Sequence, residues 1–222
     1  MAKVKKIGVT LRIVENQTYH ESRDALSHDW ITFFDRLKLI PVLIPNCLEE
    51  PVEYFINNES EGLILTNGED VALKGKKNNE FNGSMRDVTE VKLISYAIRN
   101  SIPVLGVCRG MQFINIYFGG KLIDGTKGHV TESHQIEIID KKYQDFLSNK
   151  TIKTNSYHNI GIVRENLAED LIPWAIKDNV VEALYHKKFP VTAIQWHPER
   201  KNPAAEIDRK LFSLFLNRKL FS

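Results

Sequence analysis

The sequence predicts an α/β protein: a mostly parallel central sheet with helices on both faces, extended at one edge by antiparallel strands. Three observations carry the prediction. Short apolar runs rich in Val, Ile and Leu recur through the first half of the chain, each bounded by Gly, Pro or Asn. Stretches of helical period separate them, the alternation expected of a parallel sheet buried on both faces. Beyond the helix that follows Cys108, β-rich runs crowd together with short gaps, the texture of hairpin-connected strands.

In chain order, KIGVTL (6–11), IPVLIP (40–45), GLILTNG (62–68) and IPVLGV (102–107) read as buried strands. HDWITFFDRLKL (28–39), EPVEYFINN (50–58) and MRDVTEVKLISYAIRN (85–100) read as helices between them. The third of these puts Val88, Val91, Leu93, Ile94, Ala97 and Ile98 on one apolar face, with Asp87 and Glu90 near its start, where the helix dipole favours acids. HVTESHQIEIID (129–140), KTNSYHNIGIV (153–163), VVEALYHKKF (180–189) and VTAIQWHPE (191–199) supply the added strands. NPAAEIDRKLFSLFLNRKL (202–220) spaces Ile207, Leu211, Leu214 and Phe215 as one helical face that packs back on the sheet. EDVALKGKKNNEFNGSM (69–85) exceeds the usual loop length and reads as a solvated loop, a lid or a mobile insertion. With no repeat, low-complexity block or Pro/Gly/Ser-rich linker, residues 1–222 are expected to form one domain.

Composition narrows the function classes. Thirty basic residues against 28 acidic give a net charge of +2, which offers no electrostatic case for a nucleic acid polymer or an anionic membrane. No apolar run approaches a membrane span, and the start MAKVKKIGVTL lacks a small-residue cleavage site, so the expected location is the cytoplasm. There Cys47 and Cys108 stay reduced. Cys47, following IPN, reads as a core or strand-end thiol. His20, His28, His129, His134 and His186 are scattered without metal-ligand spacing, so no metal is expected.

Cys108 invites a different reading. Gly106-Val107-Cys108-Arg109-Gly110 has the form of a nucleophile elbow, in which the reactive side chain occupies a sharp strand-to-helix turn and flanking glycines clear the space around it. The first turn of the following helix has free N–H groups and a partial positive charge, which suit an anionic sulfur and leave the Arg109 amide able to bind an oxyanion. In AIQWHPER (193–200) a strand ends at His197-Pro198-Glu199. A histidine there could take the thiol proton and return it to a leaving amine, while the carboxylate two residues on holds the imidazole in its working tautomer. Arg12, at the end of the first strand, could reach the same edge, and Tyr19, Glu21 and Arg23 in the adjoining polar loop could touch a leaving group.

GVCRGMQ together with IQWHPE resembles the class I glutamine amidotransferases, in particular their free-standing γ-glutamyl hydrolase branch, the peptidase C26 group. The resemblance runs from KIGVT to the last helix and implies a flavodoxin-like sheet. It implies Cys108 as nucleophile, His197 as general base and acid, and Glu199 as the carboxylate that orients it. It further implies an oxyanion hole of the Gly68 and Arg109 amides, although LTNGED (65–70) departs from the commoner double-glycine or Gly-Pro-Gly turn. Gln112 matches the glutamine that contacts the γ-glutamyl group. NSYHNIGI (155–162) matches the segment that binds the glutamyl α-amino and α-carboxylate groups, with Tyr157 and Asn159 as candidate contacts and His158 as a structural group.

The implied reaction is cysteine-dependent hydrolysis of a γ-glutamyl amide through a thioester, releasing glutamate, and nothing in that cycle needs a cofactor. The pattern that includes GVTLRIVENQTYHESRDALSHDW (8–30) is similar to hydrolases of capsule phosphoramidate biosynthesis, which implies γ-glutamyl-CDP-amidate as substrate and cytidine diphosphoramidate as product. Lys74, Lys76, Lys77, Arg12 and Arg23 are compatible with a diphosphate there. Three alternatives stay open: a γ-glutamyl-γ-aminobutyrate hydrolase, a glutaminase subunit that supplies ammonia to a partner synthase, and a catalytically dead binding module on the same fold, against which the intact Cys108, His197 and Glu199 set argues. A small-molecule γ-glutamyl substrate is thus the expected partner, and homo-oligomerisation stays open.

Overall fold

The computed structural model describes residues 4–72, 74–77, 80–124 and 133–217. Four strands of the first half are β1 (Lys6–Thr10), β2 (Ile40–Ile44), β3 (Gly62–Leu65) and β4 (Val104–Val107). The second half contributes β5 (His134–Ile138), β6 (Thr151–Thr154), β7 (Leu171–Lys177), β8 (Val180–His186) and β9 (Val191–Ile194). These nine form one sheet in the order β6-β5-β7-β8-β9-β4-β3-β1-β2. From β2 to β9 every pairing is parallel, and from β9 to β6 every pairing is antiparallel. The architecture is the expected α/β one, its antiparallel extension on one side.

Helices cover both faces because each brings one apolar stripe to the sheet. On one face lie α1 (His28–Leu37), α5 (Lys141–Leu147) and α6 (Ala205–Leu216), whose Trp30, Phe34, Leu147 and Phe212 share a core cluster with Trp174 and Trp196. The Phe33 and Phe212 rings meet edge to face at 4.8 Å and join α1 to α6. On the other face α2 (Pro51–Asn57), α3 (Met85–Arg99) and α4 (Arg109–Tyr117) bury Phe55, Leu93, Ile94, Ala97, Phe113 and Ile114.

Several expectations need correction. The run 40–45 is no fully buried strand: as β2 it closes the parallel edge, leaving Ile40 46% and Leu43 38% exposed. Cys47, just beyond it, is exposed rather than part of the core. In α3, Val88 is 41% exposed while Arg86, Asp87, Thr89 and Glu90 are buried, so the first two turns present a polar face inward. The segment 69–85 is more than a loop, since Lys74–Lys77 and Glu80–Asn82 pair as an antiparallel ribbon. Residues 73, 78 and 79, and 129–132 of the next expected strand, lie outside the described residues. α5 was not anticipated; Asp140 caps it by accepting from the Lys142 amide at 2.8 Å. Among the described residues, no helix is long and apolar enough to cross a membrane.

Candidate active site

Strand register sets up the site. β4 and β9 pair in parallel from Val104 with Val191 to Val107 with Ile194, so both end at the same level. Cys108 leaves the end of β4, its amide donating to the Ile194 carbonyl at 2.9 Å, while His197 lies three residues past the end of β9. Open parallel sheets place their reactive groups at such carboxyl ends.

The turn at Cys108 is strained, with φ 52° and ψ −103°, a combination that side-chain-bearing residues rarely adopt. The flanking glycines explain how the chain accommodates it. A Cβ on Gly106 would stand 2.7 Å from the Gly110 carbonyl, and one on Gly110 would overlap the Leu65 carbonyl of β3. The spacing of the motif therefore reflects two close backbone approaches around the cysteine. α4 begins immediately after; the Met111 and Gln112 amides turn back to the Cys108 carbonyl, which leaves those of Arg109 and Gly110 without an intrahelical acceptor.

His197 is buried, and its Nδ1 donates to Glu199 Oε1 at 2.8 Å. Among the described residues, its Nε2 has no partner within hydrogen-bond distance. Burial by itself would lower the imidazole pKa; negative charge at Cys108, and then Glu199, outweigh it and hold the group at about 9. The Cys108 sulfur also accepts from Gln195 Nε2 at 3.6 Å. An imidazole anchored at one nitrogen, unspent at the other and electrostatically coupled to a thiol is equipped to move a proton.

Asn155 holds the histidine loop from behind: its Oδ1 accepts from the His197 amide at 2.9 Å and its Nδ2 donates to the His197 carbonyl at 2.8 Å. Asn202 Oδ1 accepts from the Asn155 amide, and Asn202 Nδ2 donates to Asp208 of α6 at 2.7 Å. Trp196 Nε1 donates to the other Asp208 oxygen at 2.8 Å. Burial pushes the Asp208 carboxyl up to about 7, against these two hydrogen bonds. Neither Asn155 nor Asp208 stands out in the sequence: Asn155 acts on a loop 42 residues away, and Asp208 lies on the helix after the histidine loop, in no motif with its partners Trp196 and Asn202.

A buried ion network supports the elbow from below. The Arg109 guanidinium donates to Asp87 and Glu90, both on α3. Glu90 also accepts from Arg86 Nε at 2.9 Å and from Thr10 Oγ1 of β1 at 2.8 Å. Arg86 in turn donates to the Thr66 carbonyl at 2.6 Å and to Glu69 at 3.0 Å. Burial would raise the Glu90 pKa, but Arg109 and Arg86 more than offset that and keep it below the ordinary carboxylate value.

The remaining expected residues fall around this centre. Gly68 follows β3 beside Arg12, whose Cβ lies 3.0 Å from where a Gly68 side chain would begin. The preceding Asn67 is held by Trp30 Nε1 at 2.9 Å. Gln112 spends its Nε2 on the Ile160 carbonyl at 3.0 Å, tying α4 to the segment 155–162. Tyr157 meets the His197 ring edge-on at 5.4 Å, and Asn159 is exposed two residues on. His158 is buried, with Nδ1 against the Ile160 carbonyl at 3.0 Å and Nε2 3.6 Å from Glu182, which fits a structural role. Tyr19, Glu21 and Arg23 bond to one another on an exposed ribbon, and among the described residues no hydrogen bond or ion pair joins them to Cys108 or His197. The side chains of Lys74, Lys76 and Lys77, and His129 altogether, lie outside the described residues. Among the described residues, no group of three His, Cys, Asp or Glu could hold a metal ion.

Comparison with known proteins bears on the family and the fold. The peptidase C26 family matches residues 6–199. The γ-glutamyl-CDP-amidate hydrolase of Campylobacter jejuni subsp. jejuni serotype O:2 is 32% identical over 212 residues, covering 94% of this chain and 98% of its own. A candidate GMP synthase component of Thermoplasma acidophilum superposes with a TM-score of 0.71 at 20% identity, over 99% of this chain and 96% of that one. A glutamine amidotransferase of Thermotoga maritima gives 0.59 at 14% identity, over 96% and 83%. At those identities the two solved structures attest the fold.

Proposed function

The chain belongs to the peptidase C26 family, and from that membership we propose that it hydrolyses a γ-glutamyl amide through a thioester on Cys108, with γ-glutamyl-CDP-amidate as its substrate. The observation that carries the reading is the arrangement at His197: one nitrogen bound to Glu199, the other unspent, and the ring coupled to the Cys108 sulfur. In the first half-reaction Sγ attacks the γ-carbonyl carbon, and the carbonyl electrons move to the oxygen. The Gly68 and Arg109 amides receive that oxyanion, and loss of one such donor costs about a hundred- to thousandfold in rate. As the C–N bond breaks, the His197 imidazolium protonates the departing nitrogen. Water, deprotonated by His197, then attacks the thioester, glutamate leaves, and the proton returns to the pair. Gln112, Tyr157, Asn159 and Arg12 are the contacts assigned to the glutamyl unit in this reading. The choice of leaving group is supported by the Campylobacter jejuni relative, which covers nearly all of both chains.

The test is glutamate release by the purified protein, without any partner, from γ-glutamyl-CDP-amidate, γ-glutamyl-γ-aminobutyrate and glutamine. The expected order puts γ-glutamyl-CDP-amidate first by kcat/KM, with Cys108→Ala lowering kcat by about four orders of magnitude. Preference for γ-glutamyl-γ-aminobutyrate would overturn the substrate assignment. Hydrolysis of glutamine alone, appearing only once a synthase is added, would favour a glutaminase subunit. Undiminished turnover by Cys108→Ala would end the thioester mechanism.

A further inference from the structure

A cavity of about 720 Å³ opens between α1 and the start of α6, next to the histidine loop. That volume lies within the usual range for sites that take small molecules. Its charge is lopsided. Arg36 of α1, Arg200 and Lys201 of the loop, and Arg209 of α6 face it, against the two carboxylates of Asp29 and Glu199. Glu199 is buried and committed to His197. Among the described residues, Arg36, Lys201 and Arg209 have no carboxylate within ion-pair distance, and Arg36 lies over the Phe33 ring at 5.8 Å, so three cations without an acidic partner face the cavity from α1, the loop and α6.

Two links join this cavity to the reacting groups. Arg200 lies over the Tyr157 ring, 4.5 Å from its centroid, and that ring meets His197 edge-on. On the opposite side α1, which supplies Asp29 and Arg36, supplies Trp30, the residue that holds Asn67 next to Gly68. Cys108 itself borders the apolar cluster of the α1 and α6 face, so sulfur and cavity occupy the same side of the sheet. The atom that joins the glutamyl unit to its leaving group is the nitrogen that His197 would protonate. Whatever is attached to that nitrogen therefore extends along the histidine side of the site.

We propose that this cavity is the leaving-group subsite and that Arg36, Arg200, Lys201 and Arg209 select a diphosphate-bearing leaving group there. The inference rests on the γ-glutamyl hydrolase reading above. Phosphate oxygens accept charge-assisted hydrogen bonds from guanidinium and ammonium groups. It also moves the expected cations: Arg23 is engaged with Glu21 and Tyr19 on its own ribbon, and the cavity cations come from three segments distant in sequence.

The experiment compares wild type with the double variant Arg36→Ala/Arg209→Ala; both side chains are exposed, so the fold does not depend on them. Two quantities are read: the ratio of kcat/KM for γ-glutamyl-CDP-amidate to that for γ-glutamyl-γ-aminobutyrate, and the affinity for CDP by calorimetry. The expected result is a fall of about tenfold in both, the scale of losing charge-assisted contacts at a screened, open site, with recovery in Arg36→Lys/Arg209→Lys. If wild type cleaves γ-glutamyl-CDP-amidate and the ratio does not move, the subsite is overturned while the hydrolase reading stands. Should wild type cleave no γ-glutamyl amide yet bind CDP through Arg36 and Arg209, the hydrolase reading falls and the anion site stands. CDP binding indifferent to both arginines would refute the cavity assignment outright.

Discussion

Burial strips solvent from the His197 imidazole and would drive off its proton, yet charge at Cys108 and the Glu199 carboxylate keep that proton in place up to about pH 9. The balance can be read directly. In a nuclear magnetic resonance titration the His197 ring should change charge at about 9 in wild type and lower in Cys108→Ala, which removes the largest raising influence. A midpoint that stays near 9 in the variant would show that the sulfur is not what holds the proton. The same shift has a stability sign. The folded value lies above the unfolded value of about 6.5, so the contribution is complete below that pH. It is lost as pH rises through about 9. Wild type should therefore lose resistance to urea across that window, and Cys108→Ala should lose less.

Helix α3 shows what an element can hide. Its sequence reads as an amphipathic helix with acids at the start, and Ser84 with Asp87 forms a capping box as such a start suggests. What the pattern conceals is that Arg86, Asp87 and Glu90 face inward, because the periodicity of polar residues says nothing about a partner such as Arg109 on a different helix. Val88, read as core, is turned outward by the same rotation. The elbow at 106–110 and the His197-Pro198-Glu199 stretch were legible for the opposite reason: the spacing of residues close in sequence fixes their geometry. Glu90→Gln keeps the shape but leaves Arg86 and Arg109 short of one buried charge. Denaturant unfolding should show a loss of about 3–5 kcal/mol. A loss under 1 kcal/mol would mean that the network adds little beyond packing.

Across the whole molecule the two halves of the sheet divide the work. The parallel half sets Gly68, Cys108 and His197 at neighbouring strand ends; the alternating runs of the first half imply a parallel sheet but not this order of strands. The antiparallel half, legible only as β-rich, supplies Asn155 and the segment that Gln112 tethers. α6 then closes the molecule over both through Asp208, whose folded pKa of about 7 exceeds its ordinary 3.8. A raised acid stabilises fully below its unfolded value, and that contribution is lost as pH rises through about 7. Asp208→Asn removes the titration, so urea midpoints should show the variant gaining on wild type between pH 5 and pH 8, by roughly the charge-burial cost; a constant difference would refute it. Arg109 joins these scales in one residue. Its amide begins α4 at the thiol, while its guanidinium is locked among Asp87 and Glu90. Any thermal loosening of that inner lattice reaches the reaction centre through a single peptide unit, so on warming, catalysis should fade before the far-ultraviolet signal of the helices does.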